Sequence, residues 1–294
     1  MDKLVQGIAA GGDIRVFGAI TTSTVAEAIR RHQTSPTVSA ALGRTMTGAL
    51  MMASTLKELD RLTVKIEAEG PVGGITAEAN ADGKVRGYVK NPVTELPANG
   101  RGKFDVSGII GKGMFYVIRE AGFDIGFRPE PYVGSVPIVS GEIAEDFAYY
   151  LAKSEQIPSA VMLGVLLNNH EPYVAASGGV MIQMMPGANE HLITMIEDTI
   201  AHAPHLTTVI NAETRPEQLI EIALGEIAFE ILGEKEVAFE CTCSFDKAIT
   251  MVEALGRDEV ASMLAEQGGA TMNCGFCNEV YSLDAAALSG MLKG

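Results

Sequence analysis

Residues 35–60, "SPTVSAALGRTMTGALMMASTLKELD", determine how the first part of this 294-residue chain can fold. Ser35 and Pro36 are typical of a helix start. Small or apolar residues occupy most of the circumference of this helix. They are Val38, Ala41, Leu42, Met46, Ala49, Leu50, Met51, Met52 and Ala53. A helix that is apolar on every side is normally buried. We therefore predict that this helix lies inside its domain.

Strand patterns dominate the residues that follow the helix. "LTVKIEAEG" (62–70) alternates between apolar and polar residues, and "GITAEANADGKVRGYVKNP" (74–92) predicts a hairpin about Asp82-Gly83. Further strands are predicted in 108–122 and 131–141, and two apolar strands in 160–188 are joined through "NNHEP". A helix capped by Ser140 is predicted to end near Pro158. This mixture predicts an α+β core domain over residues 1–186.

Helical patterns take over from Asn189. "ANEHLITMIEDTIAHAPHL" (188–206) and "TRPEQLIEIALGEIAFEIL" (214–232) each predict a helix with one apolar stripe. The first stripe contains Leu192, Met195, Ile196 and Ile200, and the second contains Leu219, Ile220, Ala223, Leu224 and Ile227. A single apolar face must dock on another surface, so we interpret 187–234 as a helical linker that packs on the core domain or on a partner.

Composition narrows the class of function. The formal net charge of −15 argues against nucleic acid as the main partner, because phosphates require a basic surface. The longest apolar run, "AVMLGVLL" at 160–167, is too short to span a bilayer, so no membrane partner is expected. The N-terminus lacks the unbroken apolar stretch of a signal peptide, which favours a cytoplasmic protein. No arrangement of catalytic residues stands out, and we predict that the protein is not an enzyme.

All four cysteines lie in the last part of the chain, as Cys-Thr-Cys and Cys-Gly-Phe-Cys. In a reducing compartment, clustered cysteines indicate metal or redox chemistry instead of structural disulfides. A structural zinc site requires four tetrahedral ligands, which two close pairs provide. No histidine lies near these cysteines in the sequence, so we predict a site with four cysteine ligands. This site would hold one zinc ion per chain in the reduced state. The predicted ligands are Cys241, Cys243, Cys274 and Cys277.

The segment 235–294 is interpreted as a small zinc-binding domain that needs the metal to fold, because it has few large apolar residues. Zinc-bound thiolates are nucleophilic, and their oxidation would release the metal. The segment would then lose the free energy of metal binding that stabilises its fold. This chemistry predicts a redox switch. The alternative, in which two pairs of free cysteines bind nothing, explains the spacing less well.

These residues resemble a known family. The stretch "CTCSFDKAITMVEALGRDEVASMLAEQGGATMNCGFCNEVYSL" (241–283) is similar to the C-terminal part of the redox-regulated holdase chaperone of 33 kDa, a bacterial heat-shock protein. The similarity extends to "GEIAEDFAYYLAKSEQIPSAVMLGVLL" (141–167) and to "GGVMIQMMPGA" (178–188). Chain length and the three-part layout agree with the family as well.

The resemblance implies an ATP-independent chaperone that binds unfolding client proteins and prevents their aggregation under oxidative stress. It implies that the reduced, zinc-bound form is inactive and that oxidants form two disulfides, Cys241–Cys243 and Cys274–Cys277, with release of zinc. The linker helices would then loosen and expose apolar surface for clients. The active form would be a homodimer.

Two other interpretations use the same cysteines. The chain could be a constitutive adaptor that resembles a zinc ribbon and binds its partner in every redox state. Alternatively, "CGFC" could be a redox centre of the thioredoxin type, which would require a strand before the motif and a helix after it. The redox switch and the adaptor are distinguished by one observation, which is whether activity appears only after oxidation.

Overall fold

The computed structural model describes residues 1–57, 59–100, 102–122, 130–211 and 213–292. Within these residues the chain forms two compact units, Met1–Glu240 and Cys241–Gly294. The mixture of helices and sheets confirms the predicted α+β class. The division into a core domain 1–186, a linker 187–234 and a zinc-binding domain 235–294 stays a prediction.

Three sheets are present in the described part of the chain, one of five strands, one of six and one of two. The five-stranded sheet A has the order β10 (Phe229–Glu236), β1 (Lys3–Ala9), β2 (Ile14–Ile20), β9 (Val174–Met184) and β8 (Ser159–Leu167). The six-stranded sheet B has the order β11 (Ala238–Phe239), β5 (Lys84–Val89), β4 (Gly74–Asn80), β3 (Arg61–Ala68), β6 (Gly113–Glu120) and β7 (Tyr132–Pro137). The hairpin of sheet C consists of β12 (Gly269–Asn273) and β13 (Val280–Asp284). Neighbouring strands are antiparallel except β11 and β5.

The helices of the first unit are α1 (Thr22–His32), α2 (Pro36–Ala53), α3 (Val106–Ile110), α4 (Ala144–Lys153), α5 (Glu190–His202), α6 (Leu206–Val209) and α7 (Pro216–Leu224). Those of the second unit are α8 (Phe245–Glu253), α9 (Arg257–Gln267) and α10 (Ala285–Met291).

The central strand β2 of sheet A is buried on both faces, because its residues belong to two different apolar clusters. Phe17 and Ala19 of β2 face a cluster formed with α1, α2, α4 and sheet B. Val16 and Ile20 of the same strand face a second cluster formed with α5, α6 and α7. The first unit is therefore layered as sheet B, the helices α1, α2 and α4, sheet A, and the helices α5 to α7.

The helix predicted to be buried is α2, and the prediction is confirmed. Every residue from Thr37 to Ala53 is buried except Arg44, which forms an ion pair with Glu142 at 2.8 Å. The buried hydroxyls of Thr45 and Thr47 are satisfied by carbonyls one turn earlier in the helix. Thr47 Oγ1, for example, donates to the carbonyl of Gly43 at 2.8 Å. Hydrogen bonds of this kind let small polar residues occupy the inside of the domain without an unpaired polar atom.

The predicted hairpins are confirmed. Strands β4 and β5 flank the Asp82-Gly83 turn, where Gly83 has a φ of +78° that favours glycine. Strands β8 and β9 flank "NNHEP".

Several element boundaries differ from the prediction. The helix predicted in 35–60 ends at Ala53, the helix predicted in 188–206 ends at His202, and the strand predicted in 108–122 is preceded by helix α3 and starts at Gly113. The helix predicted over 214–232 ends at Leu224, where Gly225 with φ +60° reverses the chain, and Phe229–Glu236 is a strand. The helix predicted to start at Ser140 begins at Ala144. Its first turn is held by Asp146, whose carboxylate accepts from the backbone N–H groups of Val139, Ser140 and Ile143.

The apolar stripes predicted for the linker helices pack on sheet A, with one exception. Ile196 of α5 is buried, and Leu192 and Ile200 are partly buried against the same cluster. Leu219, Ile220, Ala223 and Leu224 of α7 are buried there, and Ile227 is partly buried. Met195, by contrast, is 39% exposed, so it lies outside the docked face.

Candidate metal centre

The first cysteine pair lies on the short segment that leads into α8. Cys241 and Cys243 come directly before Ser244, whose hydroxyl caps the helix by accepting from the backbone N–H of Lys247 at 3.2 Å. Ser244 and the helix start therefore fix the position of Cys243 relative to the rest of the second unit.

The second pair lies in the turn of the β12–β13 hairpin. The backbone N–H of Cys274 donates to the carbonyl of Glu279 at 2.9 Å, and the N–H of Asn278 donates to the carbonyl of Cys274 at 2.8 Å. Asn278 has a φ of +59°, which is tolerated best by glycine and asparagine. These contacts close a tight turn that brings the Cys277 thiol back towards Cys274.

The four sulfur atoms form one cluster, although the two pairs are about thirty residues apart in sequence. All four Sγ atoms lie within 4.8 Å of one another. Cys241 Sγ is 3.7 Å from Cys274 Sγ, and Cys243 Sγ is 3.4 Å from Cys277 Sγ. Four sulfurs about 2.3 Å from a tetrahedral zinc ion would be about 3.8 Å apart. The donor set and spacing therefore fit a metal ion that prefers four thiolates.

Two of the thiols resist deprotonation when no cation is present. Burial raises the pKa of the Cys243 thiol and of the Cys277 thiol. Without a positive charge at the centre these groups would remain protonated at neutral pH, since four clustered thiolates repel one another. A divalent cation removes this repulsion and stabilises the deprotonated form.

A fifth side chain that the sequence reasoning did not include contacts the cluster. The hydroxyl of Tyr281 on β13 donates to Cys243 Sγ at 3.0 Å. This hydrogen bond raises the pKa of Tyr281, because a proton shared with sulfur is held more tightly. An aromatic residue four positions after the last cysteine was the only signal in the sequence, and its contact depends on the strand register.

The unit that carries the cysteines has a small apolar core. Its buried cluster consists of Val252, Val260, Leu283 and Leu288, with partly buried residues around it. Cys277 is itself 2% exposed and belongs to the interior of the unit. The small core agrees with the expectation that this segment depends on a metal for its stability.

The structure argues against the thioredoxin interpretation. "CGFC" joins two antiparallel strands of a hairpin, whereas a thioredoxin-type centre follows a strand and begins a helix.

In the residues that the structure describes, the four cysteines are the one group of three or more His, Cys, Asp or Glu side chains able to share a metal ion. No helix in the same described ranges is long and apolar enough to cross a membrane.

Comparison with known proteins identifies a family. The model of the Hsp33 protein family matches residues 2–284. The 33 kDa chaperonin of Desulforamulus reducens is 44% identical over 292 residues, which cover 99% of this chain and 97% of that protein. The 33 kDa chaperonin of Enterococcus faecalis is 46% identical over 281 residues, covering 95% and 92%. A crystal structure of the 33 kDa chaperonin (heat shock protein 33 homologue) of Thermotoga maritima matches with a TM-score of 0.90 at 35% identity, and covers 99% of this chain and 98% of that one.

Proposed function

Because the chain belongs to the Hsp33 family, we propose that it is an ATP-independent holdase chaperone that binds unfolding proteins and prevents their aggregation under oxidative stress. The observation that carries the proposal is the cluster of four Sγ atoms within 4.8 Å in a unit with a small apolar core. Such a unit is poised to lose its structure when the cluster is oxidised. The names of the relatives, 33 kDa chaperonins, are consistent with a protein that is not an enzyme.

The proposed resident metal is one zinc ion per chain, held in the reduced state by Cys241, Cys243, Cys274 and Cys277. The support is the all-sulfur donor set and the sulfur spacing. Bound zinc would neutralise the thiolates and link the segment before α8 to the β12–β13 hairpin.

The proposed activation is oxidation to two disulfides. For each pair, one thiolate attacks a peroxide oxygen, the O–O bond breaks, and the leaving hydroxide becomes water. The second thiolate then displaces the oxygen from sulfur, so that an S–S bond forms and a second water leaves. Two protons are consumed, the two sulfurs lose two electrons, and the peroxide gains them.

The pairing Cys241–Cys243 and Cys274–Cys277 rests on the family resemblance. The shortest sulfur contacts join opposite pairs, Cys241 with Cys274 and Cys243 with Cys277. All four sulfurs nevertheless lie within 4.8 Å, so each cysteine has its sequence neighbour within a small movement.

Loss of the metal would act next on the segment that precedes Cys241. Strand β11 pairs with β5 through only two residues, Ala238 and Phe239, and the guanidinium of Arg31 lies 5.4 Å from the centre of the Phe239 ring. We propose that unfolding of the zinc-binding domain 235–294 releases this short strand, and that oxidation together with mild warming then loosens the linker 187–234 from the core domain 1–186. The apolar surface so exposed would bind clients.

The remaining features of the proposal follow the resemblance and the sequence. The active form is proposed to be a homodimer, with unfolded or partly folded proteins as its clients. Nucleic acid is not proposed as a partner because of the net charge of −15, and a membrane is not proposed because the longest apolar run, 160–167, is short. Thiols that cycle between reduced and oxidised states fit a cytoplasmic location, where reductants restore them.

Metal analysis tests the proposed site. The purified reduced protein should contain one zinc per chain, and Cys274→Ser should lose tight zinc binding. Thr242→Ser is the matched control, because it changes the residue between two cysteines and leaves every sulfur in place. Full, tight zinc binding in the Cys274→Ser variant would remove Cys274 from the site.

A further inference from the structure

Tyr281 links the two halves of the sulfur cluster. It lies on the hairpin that carries Cys274 and Cys277, yet its hydroxyl donates to Cys243 of the other pair at 3.0 Å. Cys243 Sγ also lies 3.4 Å from Cys277 Sγ. One sulfur of the cluster therefore has a tyrosine hydroxyl as a specific partner.

Two contacts hold the tyrosine in this position. In the β12–β13 ladder Tyr281 is opposite Met272, two residues before Cys274, so the strand register fixes its backbone. Its ring packs against the ring of Phe245 at the start of α8, with centroids 6.5 Å apart and planes tilted by 53°. Phe245 is two residues after Cys243, so the ring contact joins the same two segments as the hydroxyl.

We propose that Tyr281 is a positioning residue that protects the sulfur of Cys243 from oxidants, an inference that rests on the proposed redox function. A thiolate attacks peroxide with a sulfur lone pair, and a hydrogen bond to that sulfur withdraws electron density and lowers its nucleophilicity. In addition, the hydroxyl covers one side of the sulfur atom. The hydrogen bond thus makes Cys243 less reactive than it would be without this donor.

The step affected is the first one, in which sulfur attacks hydrogen peroxide. A bond forms between Cys243 Sγ and one peroxide oxygen, the O–O bond breaks, and the departing hydroxide takes up a proton to become water. The product at sulfur is a sulfenic acid. A neighbouring thiolate then forms the disulfide and releases the second oxygen as water.

Tyr281→Phe in the full, reduced, zinc-loaded chain tests the proposal, because it removes the hydroxyl and keeps the ring. After a brief pulse of limiting hydrogen peroxide, dimedone traps the sulfenic acids, and mass spectrometry of the digested protein compares labelling at Cys243 with labelling at Cys274. We expect this ratio to rise about fivefold, the effect of losing one ordinary hydrogen bond. Tyr173→Phe, at a tyrosine 54% exposed in the first unit, should leave the ratio unchanged.

A second variant keeps the test decisive if Tyr281→Phe fails to fold or to hold zinc. Replacing Tyr281 by 3-fluorotyrosine preserves its shape and makes the hydroxyl a stronger donor, so the ratio should fall. A ratio that both variants leave at the wild-type value overturns the role of Tyr281 and leaves the redox switch intact. Absence of zinc, or of trapped sulfenic acid at every cysteine of the wild-type protein, would instead overturn the proposed function itself.

Discussion

Removal of the metal from the reduced protein should unfold the second unit and leave the first unit folded. The perturbation is a strong chelator in the presence of a thiol reductant, so that no disulfide forms. Cys277 is buried within the second unit, and the sulfur cluster joins the segment before α8 to the β12–β13 hairpin. Without the cation, the contacts that remain between these two segments, such as the hydrogen bond from Tyr281 to Cys243 Sγ, are much weaker than metal ligation.

The magnitude follows from the core of the unit. Its buried apolar cluster consists of Val252, Val260, Leu283 and Leu288. Each contributes about 2 kcal/mol on burial, which gives about 8 kcal/mol for the four. A structural zinc ion in a site of this kind contributes about 10 kcal/mol or more. The net stability of a folded domain is about 5–15 kcal/mol, so losing a contribution as large as that of the metal should leave the unfolded state favoured.

Hydrogen exchange measured by mass spectrometry reports the two units separately. Peptides from 245–292 should lose their protection after chelation, whereas peptides from sheet B of the first unit should keep theirs. Leu288→Ala serves as a comparison within the same core. It should cost about 3 kcal/mol, less than the metal contributes, so the zinc-loaded variant should keep a folded second unit.

Retained protection over 245–292 after complete removal of metal would refute this reasoning, because the apolar core alone would then be sufficient. Unfolding of zinc-loaded Leu288→Ala would also contradict it, since the core would then outweigh the metal.

Three further outcomes are expected. Oxidation with mild warming should remove the exchange protection of α5 and α7, whose apolar stripes pack on sheet A in this structure, and unchanged protection would mean that the switch acts elsewhere. Gly48→Ala should destabilise the first unit by about 1–3 kcal/mol in thermal unfolding, because a Cβ at Gly48 would overlap the ring of Phe147, and an unchanged melting temperature would contradict this packing. The hydrogen bond from Arg30 lowers the pKa of Glu27 to about 2 from its ordinary 4.5. The ionised Glu27 therefore stabilises the folded state above pH 4.5, and this stabilisation is lost as the pH falls towards 2. Glu27→Gln should flatten the acid dependence of the melting temperature in that window, and identical acid dependence in variant and wild type would count against the interaction.

The sequence predicted elements whose patterns are local. The helix 36–53 was recognisable because its small and apolar residues cover the whole circumference, and the Asp82-Gly83 hairpin because the turn needs a positive φ. The sulfur cluster followed in the same way from two short motifs with metal-ligand spacing. The helix and the hairpin depend on residues close together in the chain, and the cluster depends on two motifs that are each local.

Features that depend on tertiary context were missed. Strands β1 and β2 were not assigned, because they lie in the part of sheet A that is covered on both faces and do not alternate strictly between polar and apolar residues. Strand β10 alternates between half-buried and exposed positions, but its residues follow a strong helical pattern that ends only at Gly225. The contact of Tyr281 with Cys243 depends on a strand register and a helix start that no short motif encodes.

The central claim is that chaperone activity requires oxidation of the four cysteines together with unfolding of the zinc-binding domain and the linker. The most direct test measures suppression of aggregation of a thermally unfolding client by the reduced protein, the chelated but reduced protein, and the protein treated with peroxide and warmed. Strong activity is predicted only in the third condition and should be reversed by a thiol reductant. Zinc loss alone should unfold 241–294 while the apolar contacts of α5 and α7 keep these helices docked. Equal suppression by the fully reduced, zinc-loaded protein would contradict the redox switch and favour a constitutive adaptor.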